Sequence, residues 1–263
     1  MLSPVSIRHT ILLLLLLSLA VVARAEVSDL NSAINKAGRQ RMLSQRMAKA
    51  YFQLGLGVDV DRSRKVLDGS VALFDRQLAE LKAFAPSQEI RETYQKLERT
   101  WQTYRQALTA SAPNLADGAR ILALSDEVLA LAQKGTQQLE NRSTTSSARL
   151  VNLAGRQRML SQRMAKFYQA AAWKIGVEQA AAEIDRARRE FAAGLQELAA
   201  APNNTPALRE DLELVRQQWL FFENALGQLG STDKRQATVV ATTSERILET
   251  MENVVGQYEK QTK

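Results

Sequence analysis

The sequence predicts an all-α chain: two tandem antiparallel four-helix bundles, eight helices, behind an N-terminal leader. Three observations carry this. Apolar residues recur at spacings of three and four, as in Phe74, Leu78 and Leu81 or in Ile121, Leu124, Val128 and Leu131. That is the period of a helix with one buried face. No stretch sustains the alternation of a half-buried strand. Finally, the segment AGRQRMLSQRMAK stands letter for letter at 37–49 and again at 154–166, so one unit has been used twice.

The elements follow in order. Residues 1–25 read as a secretory signal peptide. Arg8 and His9 give a basic start, Ile11 to Val22 an apolar run broken only by Ser18, and Ala23-Arg24-Ala25 an A-x-A site with cleavage expected after Ala25. The alternative, an uncleaved anchor, suffers from an apolar core shorter than the roughly 20 residues a spanning helix needs. The mature chain is therefore expected in the periplasm, without a later apolar stretch to return it to a membrane. Helices are expected over 28–54, 59–84, 88–111, 115–142, 145–174, 178–200, 206–229 and 233–260. Their ends are set by Gly55-Leu56-Gly57, Pro86, Pro113-Asn114, Gly176, the Pro202–Pro206 stretch and Gly230-Ser231.

The duplication extends beyond the quoted box. Phe74, Leu78 and Leu81 match Phe191, Leu195 and Leu198. Trp101 matches Trp219, and Ser125 matches Ser244 after small slips in the offset. Short connections make successive helices antiparallel neighbours. The units are expected over 26–142 and 143–263. Their joint, Asn141 to Ser147, is polar but lacks Gly and Pro; it reads as a short break, with an unbroken helix as the alternative.

Composition narrows the function. Once the leader is removed, Arg8 and Arg24 go without any acid, and the net charge falls from +7 to +5. The chain's single histidine, His9, goes too, and there is no cysteine. Thiol and imidazole nucleophiles, Ser-His-Asp triads, His-ligated zinc or haem and disulfides are thereby excluded. No paired-carboxylate site, phosphate loop or metal-ligand spacing is evident, so neither an enzyme nor a cofactor is expected. The pI of 9.8 does not argue for nucleic acid, because the basic residues are scattered.

Wound on a helix, the box shows several faces. Leu43, Met47, Ala50 and Leu54 form a core stripe. Gly38, Met42, Gln45 and Lys49 form a second side flanked by Arg41, and Arg39 and Arg46 lie between. A helix with two such faces touches two neighbours: its own bundle, and an equivalent helix. Glycine inside a helix costs up to about 1 kcal/mol against alanine, and both copies accept it, at Gly38 and Gly155. Close approach of another backbone or a ligand is the usual reason. If the copies face one another about a pseudo-two-fold axis, Gly38 meets Gly155 and Arg41 approaches Arg158. Two guanidinium groups about 7 Å apart repel by roughly 2 kcal/mol at an effective dielectric near 20, and an anion between them reverses that sign.

At this box the chain resembles the PilJ-type sensor module, the N-terminal domain of type IV pilus methyl-accepting transducers. Residues Ile34-Asn35-Lys36-Ala37-Gly38-Arg39-Gln40-Arg41-Met42 and Val151-Asn152-Leu153-Ala154-Gly155-Arg156-Gln157-Arg158-Met159 carry the resemblance. They are also similar to the P-box of nitrate- and nitrite-sensing histidine kinases. The resemblance implies a periplasmic helical sensor whose ligand lies at a dimer axis, held by the motif arginine and the backbone near the motif glycine. By position these are Arg41 and Arg158, Gly38 and Gly155, with Met42 and Met159 following. Family members are usually membrane receptors, whereas here two modules stand in series.

The function expected is an exported binding protein for a small oxyanion, nitrate or nitrite first, which signals through a separate membrane receptor or transducer. Gly38, Arg41, Met42, Gln45, Gly155, Arg158, Met159 and Gln162 form the expected site, built within one chain or across a homodimer. The alternative is a structural or partner-docking protein of the pilus or chemotaxis machinery in which the box binds no small ligand.

Overall fold

The computed structural model describes residues 27, 29–231 and 233–261. The expected leader lies outside the described residues. Among the described residues eight helices run in order: α1 Leu30–Leu56, α2 Val60–Phe84, α3 Gln88–Thr109, α4 Leu115–Glu140, α5 Ser146–Ala172, α6 Val177–Ala199, α7 Pro206–Leu226 and α8 Lys234–Lys260. Among the described residues there is no strand. The joint between the units is a break: α4 stops at Glu140, and α5 starts at Ser146.

Local chemistry fixes these ends. Side-chain oxygens of Asp29, Ser87, Asn114, Thr205 and Asp233 accept from the first free N–H groups of α1, α3, α4, α7 and α8. The turn that ends α1 recurs at the end of α5. Val58 N–H donates to Gln53 O at 2.9 Å and Ile175 N–H to Ala170 O at 2.8 Å, closing each helix end in a Schellman pattern. Two positions in each turn are left-handed: Gly57 (φ 67°) and Asp59 (φ 41°) in the first, Lys174 (φ 64°) and Gly176 (φ 59°) in the second. Each copy thus places its glycine at one of the two and leaves a side chain at the other. Lys174→Gly is expected to raise the unfolding free energy, read by denaturant titration, by about 0.5 kcal/mol. Left-handed strain of roughly 1 kcal/mol is relieved, and the greater freedom of the unfolded chain offsets part of it.

Within each unit the first helix packs on the second and fourth, α1 on α2 and α4 and α5 on α6 and α8. The third helix packs mainly on the fourth. Among the described residues the broadest helix pair, however, joins the units: α1 against α5. Gly38 lies beside Gly155, and a Cβ at Gly55 would run into the Trp173 ring. The two helices are therefore parallel and in register, and the units are related by a pseudo-two-fold axis along them. The cores repeat as well. Phe74 stacks on Trp101 at 4.1 Å, and Phe191 on Trp219 at 4.5 Å. Among the described residues no helix is long and apolar enough to cross a membrane.

Candidate site at the α1–α5 seam

A helical side chain leans toward the helix N-terminus, over the residue three or four positions earlier. Arg41 thus lies over Gly38, and Arg158 over Gly155. Glycine leaves each arginine tip its room. A Cβ at Gly38 would sit 3.1 Å from Arg41 Nη2 and 3.5 Å from Arg158 Nη2; at Gly155 the corresponding distances are 3.1 Å to Arg158 and 3.4 Å to Arg41. The same Gly155 Cβ would lie 3.9 Å from Gly38 Cα. Both guanidinium groups therefore converge at the crossing of two bare backbones, and both arginines are 0% exposed.

Their hydrogen bonds nearly obey the two-fold. Arg41 Nη2 donates to Asn152 O at 3.2 Å, and Arg158 Nη2 to Asn35 O at 3.4 Å and Asn35 Oδ1 at 3.0 Å. Each arginine thus reaches across to the partner helix. The Nε of each is buried and has no acceptor among the described residues. The symmetry fails at Nη1. Arg158 Nη1 donates to the Glu252 carboxylate at 2.6 Å, whereas Arg41 Nη1 donates to the neutral Gln133 Oε1 at 2.7 Å. Burial, then repulsion from Arg156 and Arg158, pushes Arg41 down to about 9. Burial also lowers Arg158, but Glu252 opposes it. Burial alone would raise Glu252; Arg158 and Arg39 outweigh it and hold the carboxyl at about 2.

Further along the seam Lys49 and Lys166 cross between the units. Lys49 donates to Ser244 Oγ at 3.1 Å and pairs with Glu245; Lys166 donates to Ser125 Oγ at 3.0 Å and pairs with Asp126 at 2.8 Å. Arg46 joins Glu245, and Arg163 joins Asp126 at 2.6 Å. Each pair links one unit's first helix to the other's last. They are ionic rivets of the seam rather than part of the arginine cluster.

Of the residues expected from sequence, Gly38, Arg41, Gly155 and Arg158 come together at the axis. Gln45 and Gln162 lie about one turn further on and donate to the Ser125 and Ser244 carbonyls at 2.9 and 3.0 Å. Met42 is buried in the core, and Met159 lines a cleft of about 510 Å³ between α4, α5 and α6. Gln133 and Arg156 also line that cleft. Sequence reasoning missed Gln133, Glu252, Asp126, Glu245 and the two asparagines, Asn35 and Asn152. A signal existed for four of them: the Ser125–Ser244 correspondence, carried forward, aligns Asp126 with Glu245 and Gln133 with Glu252. Among the described residues no group of three His, Cys, Asp or Glu side chains is placed to hold a metal ion.

The family model described as "Type IV pili methyl-accepting chemotaxis transducer N-term" (PilJ) matches residues 25–131 and, a second time, 139–260. Neither a curated protein nor a solved structure matches the chain.

Proposed function

The chain belongs to the PilJ family twice over, and on that premise we propose that it is an exported binding protein for a small oxyanion, nitrate or nitrite first. The family is a signalling module of chemotaxis transducers. In the proposed reading the periplasmic protein takes the anion at the α1–α5 seam and passes the signal to a separate membrane receptor or transducer. Arg41 and Arg158 supply charge, Gly38 and Gly155 the close backbone.

One observation carries this reading: two buried guanidinium Nε–H groups, one per copy, that have no acceptor among the described residues. Leaving a buried charged donor unmet costs about 1–3 kcal/mol or more. An oxyanion at the seam would bring an acceptor to such donors and offset the repulsion between the cations. A second reading, a partner-docking protein without a small ligand, draws on the Nη groups, which already find the Asn35 and Asn152 carbonyls.

Calorimetric titration with nitrate and with nitrite tests the first reading. Wild-type protein is expected to bind, and Arg41→Ala and Arg158→Ala to bind at least roughly tenfold more weakly. Unaltered binding in both variants removes the site. At a hundred times Kd the anion should add about 2.7 kcal/mol of stability. No thermal shift with any anion, together with capture of a receptor component, favours docking.

A further inference from the structure

Two nearly identical arginines meet at the axis, but only one is neutralised. Glu252 on α8 touches Arg158 at 2.6 Å and also takes Arg39 through Nε and Nη2 at 3.1 and 2.7 Å. On the mirrored side α4 offers Gln133 instead; among the described residues no carboxylate pairs with Arg41, and Glu140 acts on it only at longer range. Arg156, the counterpart of Arg39, turns away from the axis to Glu190 at 2.7 Å. The α4–α5–α6 side holds the cleft of about 510 Å³, with the Arg156–Glu190 pair in its lining and Gln133 in its wall, half-buried. On the opposite side Arg39 and Arg46 bridge from α1 to Glu252 and Glu245 on α8.

We propose that the seam takes a single monovalent anion per chain at Arg41, which it reaches through the α4–α5–α6 cleft by displacing Gln133, while Glu252 serves as a built-in anion on Arg158. This deepens the oxyanion reading and rests on it. The chemistry of the exchange is simple. The Gln133 amide oxygen is a neutral acceptor, and an oxyanion replacing it gains a charge-assisted bond to the same Nη1. Glu252 cannot be replaced so readily, because it already holds two cations. The class of ligand follows: a singly charged oxyanion matches the guanidinium that holds no carboxylate directly, and a dianion would need the second arginine, which Glu252 occupies.

The test uses the full chain and nitrate in calorimetry, with two near-isosteric variants. Gln133→Glu copies the mirrored Glu252 and is expected to weaken nitrate binding at least roughly tenfold while raising the melting temperature. Glu252→Gln is expected to tighten it or to add a second anion per chain. A stoichiometry of one in the wild type supports the proposal. Gln133→Glu binding nitrate as the wild type does overturns the assigned route through Gln133 and the asymmetry built on it. Glu252→Gln leaving affinity and stoichiometry unchanged overturns the part given to Glu252. Wild-type protein that takes up no nitrate or nitrite at all sinks the oxyanion reading itself. Binding lost in Arg41→Ala but kept in Gln133→Glu sinks only the asymmetry.

Discussion

Gly155→Leu is expected to cost at least about 3 kcal/mol in denaturant unfolding, the upper range for overpacking a core. The reason is geometric. A Cβ at this position meets Arg158 Nη2 at 3.1 Å, where a flexible side chain can give way, but it also stands 3.9 Å from Gly38 Cα. Atoms beyond that Cβ meet both guanidinium groups and, behind them, the facing backbone, which cannot give way, so the two helices must part along their contact. Gly155→Ala is the control. It asks only the arginine tip to move and gains about 0.5–1 kcal/mol of helix propensity, so it should change stability by less than roughly 1 kcal/mol while disturbing anion binding. Equal costs for Leu and Ala would show that the helices are not in close contact there.

Glu245→Ala is the second large effect, expected at about 3–5 kcal/mol, the usual cost of removing one partner from a buried ion pair. The change strands Lys49, which is 1% exposed, together with Arg46. The mirrored Asp126→Ala should cost less, because the Asp126 side chain is 37% exposed and water screens what remains. Acid titration should read the same chemistry. Burial raises Glu245, but Lys49 and Arg46 outweigh it, so the folded carboxyl sits at about 2 against an ordinary 4.5. A depressed folded value means the unfolded chain binds more protons between these limits. The stabilisation is therefore whole above about pH 4.5 and drains away as pH falls toward 2. In Glu245→Ala the melting temperature should fall less steeply over that window; an unchanged slope would assign acid sensitivity to other groups.

Much of the fold was legible because helices advertise themselves through period and punctuation. Pro206, Asn114 and Gly57 stand at real boundaries. The facing of Gly38 and Gly155 was legible for another reason: a costly residue kept twice asks for a neighbour. The rest of the site was hidden by distance in sequence. What stands at Arg41 Nη1 in place of a carboxylate is Gln133, 92 positions away on α4, and nothing local to either residue points to the other. The long polar residues of the box also had more than one physical use. Gln45 and Lys49 share the face of Gly38, yet they hold the Ser125 carbonyl and the Ser244–Glu245 pair, respectively. Periodicity assigns a direction but does not say which acceptor stands at the end of it.

The five-residue connection from α4 to α5 has a consequence for chemistry as well as for assembly. Two free copies of one polypeptide meeting on a true dyad would have to carry the same side chain at the positions of Gln133 and Glu252. Two glutamates would quench both cations, and two glutamines would leave both exposed to mutual repulsion in a dry seam. Covalent linkage lifts that constraint, so a single molecule can give one arginine a fixed counter-charge and the other only a neutral amide, a division of labour closed to any homodimer.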